Sequence, residues 1–210
     1  MKLIFNFPQK SEAWYKVREQ YPLTASNAQA IGNQGKGLET LVNEILAKKY
    51  SIQDYEKRYT NDDLERGIEL EPLARSIYEL RTEQKVEEVG FVTDEEISKV
   101  GGASPDGVIG DFEGLVEIKS FNNEKHFELI CQYKETGTFD IESKYQWQMQ
   151  QQILFTGAKW CDYVAFNPNY KESLLIQRVY RDEEKIEKIK QGLKLGEELL
   201  NKKEQIYATK

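Results

Sequence analysis

Three ionisable side chains near the middle of the chain have the types and the spacing that suit phosphodiester hydrolysis. Asp106 follows a proline, and further along Glu117 and Lys119 are separated by one residue. Residues 115–120 are rich in strand-forming types, and because side chains alternate along a strand, Glu117 and Lys119 should share one face. The glycine-containing turn at 110–114 predicts a hairpin that brings Asp106 close to Glu117.

This arrangement predicts a site that binds a divalent cation. Two carboxylates that lie close together repel each other unless a cation separates them. Mg²⁺ binds through one or two carboxylates, water and substrate phosphate. A neighbouring lysine can orient or help to deprotonate a water, or offset the charge that develops on a phosphorane. The alternative is a surface hairpin with ordinary charges, because Glu-x-Lys tripeptides are frequent.

The elements that would position this hairpin begin with helices and continue with strands. Apolar periodicity and capping residues predict helices over 11–20, 38–50, 61–82, 124–132, 141–156 and 182–207. A second short helix is predicted after the one at 11–20, and it ends near residue 31. Loops are predicted over 32–37 and 51–60, and strands over 84–92, 97–101, 115–120, 158–166 and 174–180. This order predicts a single α/β domain over residues 1–210, with a central mixed β-sheet flanked by α-helices.

Two helical residues are further candidates, each with a simpler alternative. Ser26 could bind phosphate at the start of the second short helix, or it could only cap that helix. Glu71 lies one turn after Gly67 and just before Pro72, which predicts a kink or a new helix start. Glu71 could therefore face a ligand, or it could pair on the helix surface with Arg75.

A glutamine-rich stretch in the helix over 141–156 is a candidate of another kind. Gln148, Gln151 and Gln152 lie close together in the sequence. They could form a polar interface, or they could hold substrate phosphate and water. His126 is the only histidine, which excludes a site with several histidine ligands, and we expect it to be a structural or surface residue and not a catalytic base.

The composition fits a soluble globular protein and limits the classes of function. No apolar run approaches the ~20 residues that span a membrane, and we find no signal peptide at the N terminus. The two cysteines form no Cys-x-x-Cys motif, which fits a reducing, cytoplasmic setting and argues against a zinc or iron–sulfur site. The net charge of −7 disfavours non-specific binding of nucleic acid, unless basic side chains line one channel.

Four motifs, in the same order, resemble those of one nuclease family. Pro105-Asp106 followed by Glu117-Ile118-Lys119 resembles the PD-(D/E)xK nuclease signature. The longer strings ASPDG at 103–107 and LVEIK at 115–119 resemble the phage recombination exonucleases of the lambda exonuclease type, the YqaJ-like viral recombinases. The other matching strings are WYKVR at 14–18 with TAS at 24–26, GIELEPLA at 67–74, and YQWQMQ at 145–150.

This resemblance implies the restriction-endonuclease-like fold and an Mg²⁺-dependent exonuclease, with Mn²⁺ as an alternative cofactor. It implies 5′→3′ degradation of one strand of double-stranded DNA from a 5′-phosphorylated end. The 3′ single-stranded overhangs would then serve recombination by strand annealing. It also implies a toroidal homotrimer, a single-strand annealing protein as partner, and a phage or prophage origin in a bacterial host.

The resemblance also assigns roles to individual residues. The implied metal ligands are two carboxylates, a main-chain carbonyl and a supporting carboxylate, namely Asp106, Glu117, Ile118 and Glu71. Lys119 would position the attacking water, and Gln148 would help to hold that water or the scissile phosphate. Arg18 and Ser26 would hold the 5′-phosphate that gives the enzyme its polarity.

The sequence departs from the family pattern after the lysine, where Ser120-Phe121 replaces a common Cys-Pro. We expect this change to affect packing more than chemistry. Two other functions stay open at this point. One is a DNA endonuclease of the PD-(D/E)xK type, and the other is a non-catalytic module that binds DNA ends or a recombination partner.

Overall fold

The structure is a computed structural model that describes residues 1–52 and 62–209. Its described strands are, in chain order, β1 (Lys2–Phe5), β2 (Leu23–Thr24), β3 (Val86–Glu87), β4 (Phe91–Asp94), β5 (Gly101–Gly102), β6 (Gly107–Ile109), β7 (Gly114–Ser120), β8 (Trp160–Phe166) and β9 (Leu174–Tyr180). Its described α-helices are α1 (Glu12–Gln20), α2 (Ala28–Asn33), α3 (Gly35–Tyr50), α4 (Asp62–Thr82), α5 (Asn123–Thr136), α6 (Ser143–Thr156) and α7 (Glu183–Ala208), and a 3-10 turn spans Ala25–Asn27.

The main sheet has five strands in the order β3-β6-β7-β8-β9. Strands β7 and β8 are parallel, and the chain between them runs through α5 and α6. The other neighbouring strands are antiparallel. The sheet is therefore mixed, as the sequence predicts, and β7 lies at its centre. Two small two-stranded pairs, β1 with β4 and β2 with β5, lie outside it.

Helices cover both faces of this sheet. On one face, Leu115 and Tyr163 pack with buried residues of α5 and α6 such as Leu129 and Met149. The opposite face packs against α4. Because β7 is buried on both faces up to Ile118, its sequence is nearly all apolar, and the buried Glu117 interrupts that pattern.

A third apolar cluster joins α2, α3 and α7 to α6. Residues of α2, α3, α6 and α7 pack there around Leu23, Ile31 and Leu193. This cluster holds the N-terminal helices against α6, the helix that also carries the glutamine-rich stretch. Among the described helices, none is both long enough and apolar enough to cross a bilayer.

Several predicted elements are confirmed, and the region before the hairpin is corrected. The helices predicted over 11–20, 141–156 and 182–207 and the strands predicted over 158–166 and 174–180 all form, with ends that shift by two residues at most. The single strand predicted over 84–92 is wrong, because β3 and β4 belong to different sheets. The chain changes sheets at Gly90, whose main chain packs so closely on Phe5 and Phe7 that a side chain would not fit.

Three other predictions about local structure need correction, and a fourth falls mostly outside the described residues. The strand predicted over 97–101 is only the pair of glycines in β5. The loop predicted over 32–37 is only one residue long, Gln34, because α2 ends at Asn33 and α3 begins at Gly35. Gln34 and Gly35 both adopt positive φ, which turns the chain sharply between the two helices. Helix α4 continues through Pro72 without a new start. The loop predicted at 51–60 lies mostly outside the described residues.

Candidate active site

The hairpin that carries the candidate residues forms as predicted. Strands β6 and β7 pair so that Gly107 lies opposite Val116, which places Asp106 beside the segment that contains Glu117. The main-chain N–H of Ile118 donates a hydrogen bond of 2.7 Å to Oδ2 of Asp106. The turn between the strands uses positive φ at Gly110 and Phe112. A local hairpin thus sets the position of the first carboxylate relative to the second.

Glu117 is the centre of the candidate site. Its side chain is fully buried, yet both carboxylate oxygens have donors. Lys119 Nζ lies 2.5 Å from Oε1, which confirms that the two side chains share a face. Gln148 donates to the same Oε1 at 2.6 Å, and Gln152 donates to Oε2 at 2.6 Å. Charge-assisted hydrogen bonds of this kind make a buried carboxylate tolerable.

Gln152 was grouped with its neighbours in the sequence but was not predicted as a site residue. Its spacing of four from Gln148 places both amides on one helix face, which is the signal that could have found it. The other two buried glutamines of α6 face elsewhere. Gln151 donates to the carbonyls of Leu23 and Gly102, and Gln150 to that of Tyr180. The glutamine stretch therefore makes two kinds of polar contact, since Gln148 and Gln152 hold Glu117 while Gln150 and Gln151 hold main-chain carbonyls.

The charges of the cluster perturb one another. Burial, which is the largest cause, and the charge of the neighbouring Glu117 together raise the pKa of Asp106 to about 8, against the opposing effect of Lys119. Burial lowers the pKa of Lys119, but the attraction of Glu117 and Asp106 is larger, so this pKa lies above its ordinary value. Lys119 is therefore a firmly held ammonium group, which can donate hydrogen bonds and offset negative charge.

Glu71 approaches from α4, on the other side of the sheet. Arg75 Nη2 donates to Glu71 Oε1 at 2.8 Å, so the pairing considered as an alternative does form. The same guanidinium nitrogen donates to the main-chain carbonyl of Asp106 at 3.1 Å. Lys10 Nζ donates to Oε2 of Glu71 at 3.3 Å. Glu71 is thus tied to the Asp106 segment through Arg75, with both of its oxygens engaged by cations.

The donor set suits a hard divalent cation in part. Within the described part of the chain, no three Asp, Glu, His or Cys side chains form a ready metal cluster. Among the predicted ligands, Asp106 and Glu117 form an interacting pair of carboxylates, and both oxygens of Glu71 are engaged by Arg75 and Lys10. Mg²⁺ needs only one or two carboxylates together with water and phosphate, so this pair of oxygen donors fits it.

The two residues predicted to hold a 5′-phosphate lie together. The Arg18 guanidinium stacks on the ring of Trp14, with its carbon 4.2 Å from the ring centroid. It also donates to the hydroxyl of Thr24 at 3.2 Å, and that hydroxyl lies 3.0 Å from Ser26 Oγ. The side chain of Thr24 makes no capping hydrogen bond to the turn that contains Ser26.

Trp14 connects this group to the hairpin. Its indole N–H lies 3.0 Å from both the Gly90 carbonyl and the Ser104 hydroxyl. Ser104 is two residues before Asp106, and sequence reasoning did not single it out. Among the described residues, the wall of the cleft that contains Asp106 includes Trp14 but neither Arg18 nor Ser26. Arg18 and Ser26, the residues predicted to bind the 5′-phosphate, therefore lie outside the wall of this cleft, and Arg18 contacts it through Trp14.

The cleft has a volume of about 600 Å³, and cations outnumber carboxylates in its wall. The three carboxylates are Glu71, Asp106 and Glu142, and the five cations are Lys10, Arg66, Lys119, Lys125 and Lys144. The ammonium groups of Lys119 and Lys144 lie 5.0 and 4.6 Å from the centroid of the Tyr145 ring. A protein with a net charge of −7 thus concentrates positive charge where a phosphodiester backbone would have to lie.

The single histidine has a structural setting. His126 is buried, its Nε2 lies 2.9 Å from the carbonyl of Glu172, and its ring packs on Tyr170. Burial lowers the pKa of this histidine. These contacts agree with the expectation that His126 is structural.

Comparison with known proteins identifies similar folds. Residues 13–159 match the model of the YqaJ-like viral recombinase domain. The crystal structure of an alkaline exonuclease (LHK-Exo) from Laribacter hongkongensis is 30% identical in sequence, covers 94% of this chain and 96% of its own, and gives a TM-score of 0.78. The structure of LHK-Exo in complex with dAMP gives 0.77, at 30% identity and with 93% and 96% covered.

A more distant structure shares the fold. The phage related exonuclease from Haemophilus somnus 129PT is 14% identical, with a TM-score of 0.65 over 89% of this chain and 96% of its own. No curated protein matches this chain in sequence. Together with the mixed sheet, the likeness to LHK-Exo confirms the predicted restriction-endonuclease-like α/β fold.

Proposed function

Because this chain belongs to the family of YqaJ-like viral recombinase domains, we propose that it is an Mg²⁺-dependent DNA exonuclease. It would degrade one strand of linear duplex DNA in the 5′→3′ direction from a 5′-phosphorylated end. The product would be a duplex with a 3′ single-stranded overhang, suited to recombination by strand annealing. The likeness to an alkaline exonuclease over nearly the whole chain supports the reaction class.

The observation that carries this proposal is the cluster around Glu117. A buried carboxylate, a second carboxylate with a raised pKa and a firmly protonated lysine meet in a basic cleft. A structural ion pair would not need the second carboxylate, whose presence raises the electrostatic cost of the group. Such concentrations of perturbed charge in a cleft are typical of catalytic sites.

In this proposal the residues of the chain divide the work of hydrolysis. Asp106 and Glu117 would hold the cation, with the Ile118 carbonyl and Glu71 as further predicted contributors. When bound, Mg²⁺ would supply Lewis-acid activation of water and stabilisation of the leaving 3′-oxygen. Lys119 would donate hydrogen bonds to the attacking water or to a phosphate oxygen, and thereby offset the negative charge that develops on phosphorus.

Gln148 would complete the orientation of the water. Its amide N–H₂ donates to Glu117, and the same amide carries an oxygen that can accept a hydrogen bond from water. Gln152 would hold the opposite oxygen of Glu117, so that Oε1 is the atom directed to Lys119 and Gln148. The carboxylate would thus keep one orientation throughout the reaction.

The polarity follows from where the 5′-phosphate is proposed to bind. Water would attack the phosphorus that joins the first and second nucleotides, and the bond to the 3′-oxygen of the first would break. The first nucleotide leaves as a 5′-mononucleotide, and the second keeps the phosphate as a new 5′-end. Arg18 and Ser26 could therefore hold an equivalent end after every cycle, with the positive charge and hydroxyl that phosphate recognition needs.

The test uses linear duplex DNA with a label near one end, incubated with the purified protein with and without Mg²⁺. The proposal expects metal-dependent loss of the labelled strand, faster from a 5′-phosphate than from a 5′-hydroxyl end. Loss at equal rates would remove Arg18 and Ser26 from the proposal. Cutting of covalently closed circular duplex would favour an endonuclease, and binding without any degradation would favour a non-catalytic module.

The assembly and the partner are predictions that rest on the family resemblance. We propose a toroidal homotrimer, which would keep the enzyme on its substrate, and a phage-type single-strand annealing protein that receives the overhang. Light scattering on the purified protein measures the first of these directly. A mass of one or two chains under assay conditions would contradict the ring.

A further inference from the structure

The N-terminal segment before α1 is fastened beside the candidate active site. The side-chain amide of Gln9 donates to the carbonyl of Val89 at 3.0 Å and to that of Pro105 at 2.8 Å. Pro105 is the residue before Asp106. On the other side, Ser11 caps α1 by accepting a hydrogen bond from the Trp14 N–H. Lys10 is therefore held between two anchored neighbours, next to the Asp106 segment.

The backbone of Lys10 adopts a conformation that favours glycine. Its φ is +65°, in the left-handed region that side chains with a Cβ seldom occupy. A strained residue of this kind at a cleft justifies a search for a functional reason. The Lys10 side chain lies in the wall of the same cleft as Asp106 and Lys119.

The two cations on Glu71 are held very differently. The Arg75 side chain is 11% exposed and is also bonded to the Asp106 carbonyl and to Glu88, which fixes its position. The Lys10 side chain is 39% exposed, and its contact with Glu71 is longer, at 3.3 Å against 2.8 Å. An exposed single ammonium contact of this kind contributes little stability. Lys10 can therefore leave Glu71 at small cost, whereas Arg75 cannot.

We propose that Lys10 is a substrate-binding residue that moves from Glu71 to a phosphate of the DNA strand in the cleft. This inference rests on the proposed function, because it takes a DNA strand as the occupant. Without DNA, Lys10 neutralises Glu71. With DNA present, the phosphodiester offers an anion that has no cation of its own from the protein, whereas Glu71 keeps Arg75 as its partner. Lys10 would thus add one phosphate contact from the N-terminal segment.

The test measures how DNA affinity depends on salt concentration. One phosphate contact contributes about 0.9 to the slope of log K against log[salt] for duplex DNA, which corresponds to about tenfold in affinity at 0.1 M salt. Binding is measured by fluorescence anisotropy in Mg²⁺, on a duplex whose 5′-terminal linkages are phosphorothioates. A parallel gel establishes that the DNA stays intact during the measurement.

Three variants of Lys10 separate charge from backbone. Lys10→Met removes the charge and keeps the strained backbone, Lys10→Gly removes both, and Lys10→Arg keeps the charge. We expect the first two to lose about 0.9 of slope and Lys10→Arg to retain it. The control is Lys188→Met, which removes an exposed lysine paired with Glu184 on α7 and should leave the slope unchanged. Thermal unfolding establishes that each variant is folded.

Slopes for Lys10→Met and Lys10→Gly equal to that of the wild type would overturn the inference. So would an equal loss in the Lys188 control, because the effect would then come from general surface charge. The proposed function is read separately from wild-type degradation of unmodified linear duplex. If the wild type degrades DNA while the Lys10 slopes do not change, only this inference fails; if the wild type neither binds nor degrades DNA, both fail.

Discussion

Replacing Gln152 with methionine should remove one hydrogen bond from the buried carboxylate of Glu117. The bond measures 2.6 Å and joins an amide to a charged group, so its loss should cost about 1.5–3 kcal/mol. Methionine is close in volume to glutamine, and the repacking adds less than about 1.5 kcal/mol. We therefore expect the free energy of unfolding to fall by about 2–4 kcal/mol. Mg²⁺ should bind more weakly, so that half-maximal activity needs a higher Mg²⁺ concentration, and cleavage should be slower.

Gln151→Met is the matched control for this change. Both glutamines are fully buried on α6, and each has an Oε1 atom for which the described residues supply no partner. They differ in what the amide nitrogen contacts, since Gln151 donates to the carbonyls of Leu23 and Gly102. Its loss should cost about 1–3 kcal/mol from two neutral hydrogen bonds, without changing the Mg²⁺ concentration that gives half-maximal activity.

Stability alone does not distinguish the two variants, so the decisive assay is coupling to Glu117. Urea unfolding is measured for Gln152→Met, Glu117→Met and the double variant, and again with Gln151→Met in place of Gln152→Met. We expect a coupling energy of about 1.5–3 kcal/mol for the pair of Gln152 and Glu117, and about 0.5 kcal/mol or less for Gln151. Of the two single glutamine variants, only Gln152→Met should weaken the binding of Mn²⁺, which is measured by the electron paramagnetic resonance of the ion. Equal coupling for both glutamines would refute the reasoning.

Three further predictions follow from other contacts. In the metal-free protein the raised pKa of Asp106 means that its ionisation destabilises the fold, so wild-type stability should fall relative to Asp106→Asn as pH rises from about 4 to about 8, measured by urea unfolding in EDTA; parallel curves would contradict the burial of this carboxylate. Arg18→Lys loses the planar stack on Trp14 and should reduce the preference for 5′-phosphate ends without abolishing cleavage; an unchanged ratio of rates would remove Arg18 from phosphate binding. Tyr78→Phe removes a buried hydrogen bond of 2.7 Å to Asp162 and should lower the free energy of unfolding by about 1.5–3 kcal/mol, while the cleavage rate of the folded protein stays the same.

The part of the site that the sequence predicts is the part built by local geometry. Alternation along a strand places Glu117 and Lys119 on one face wherever that strand lies. A short turn then returns the chain to Asp106, so the hairpin follows from nearby residues alone. The same holds for Gln148 and Gln152, whose spacing puts both on one helix face. Which face meets the sheet depends on packing, and for that reason Gln152 was not assigned to the site.

Contacts between distant segments could not be read from residue types. Lys10 reaches Glu71, and Trp14 reaches Ser104, only because α1, α4 and the hairpin pack around one cleft. The break between β3 and β4 has a similar origin, since Gly90 has no side chain and the N-terminal segment packs directly on its main chain. Local propensity continues a strand there, and tertiary packing ends it.

The distribution of charge explains how a chain with a net negative charge can bind the phosphates of DNA. Many of the acidic residues lie on helices, and some pair there with a lysine of the same helix, as Glu12 does with Lys16 and Glu184 with Lys188. The lysines that matter for the proposal are concentrated in the wall of one cleft. Net charge therefore describes the outside of this molecule, and the binding of phosphate depends on the local field.

The measurement that tests the central claim most directly is the single-turnover rate of degradation of a 5′-phosphorylated linear duplex in Mg²⁺. It compares the wild type with Asp106→Asn, Lys119→Met and the surface control Lys188→Met. The account predicts at least about a 100-fold loss for the first two, with DNA-end binding still measurable, and an unchanged rate for the control. Rates for Asp106→Asn or Lys119→Met close to that of the wild type would contradict it.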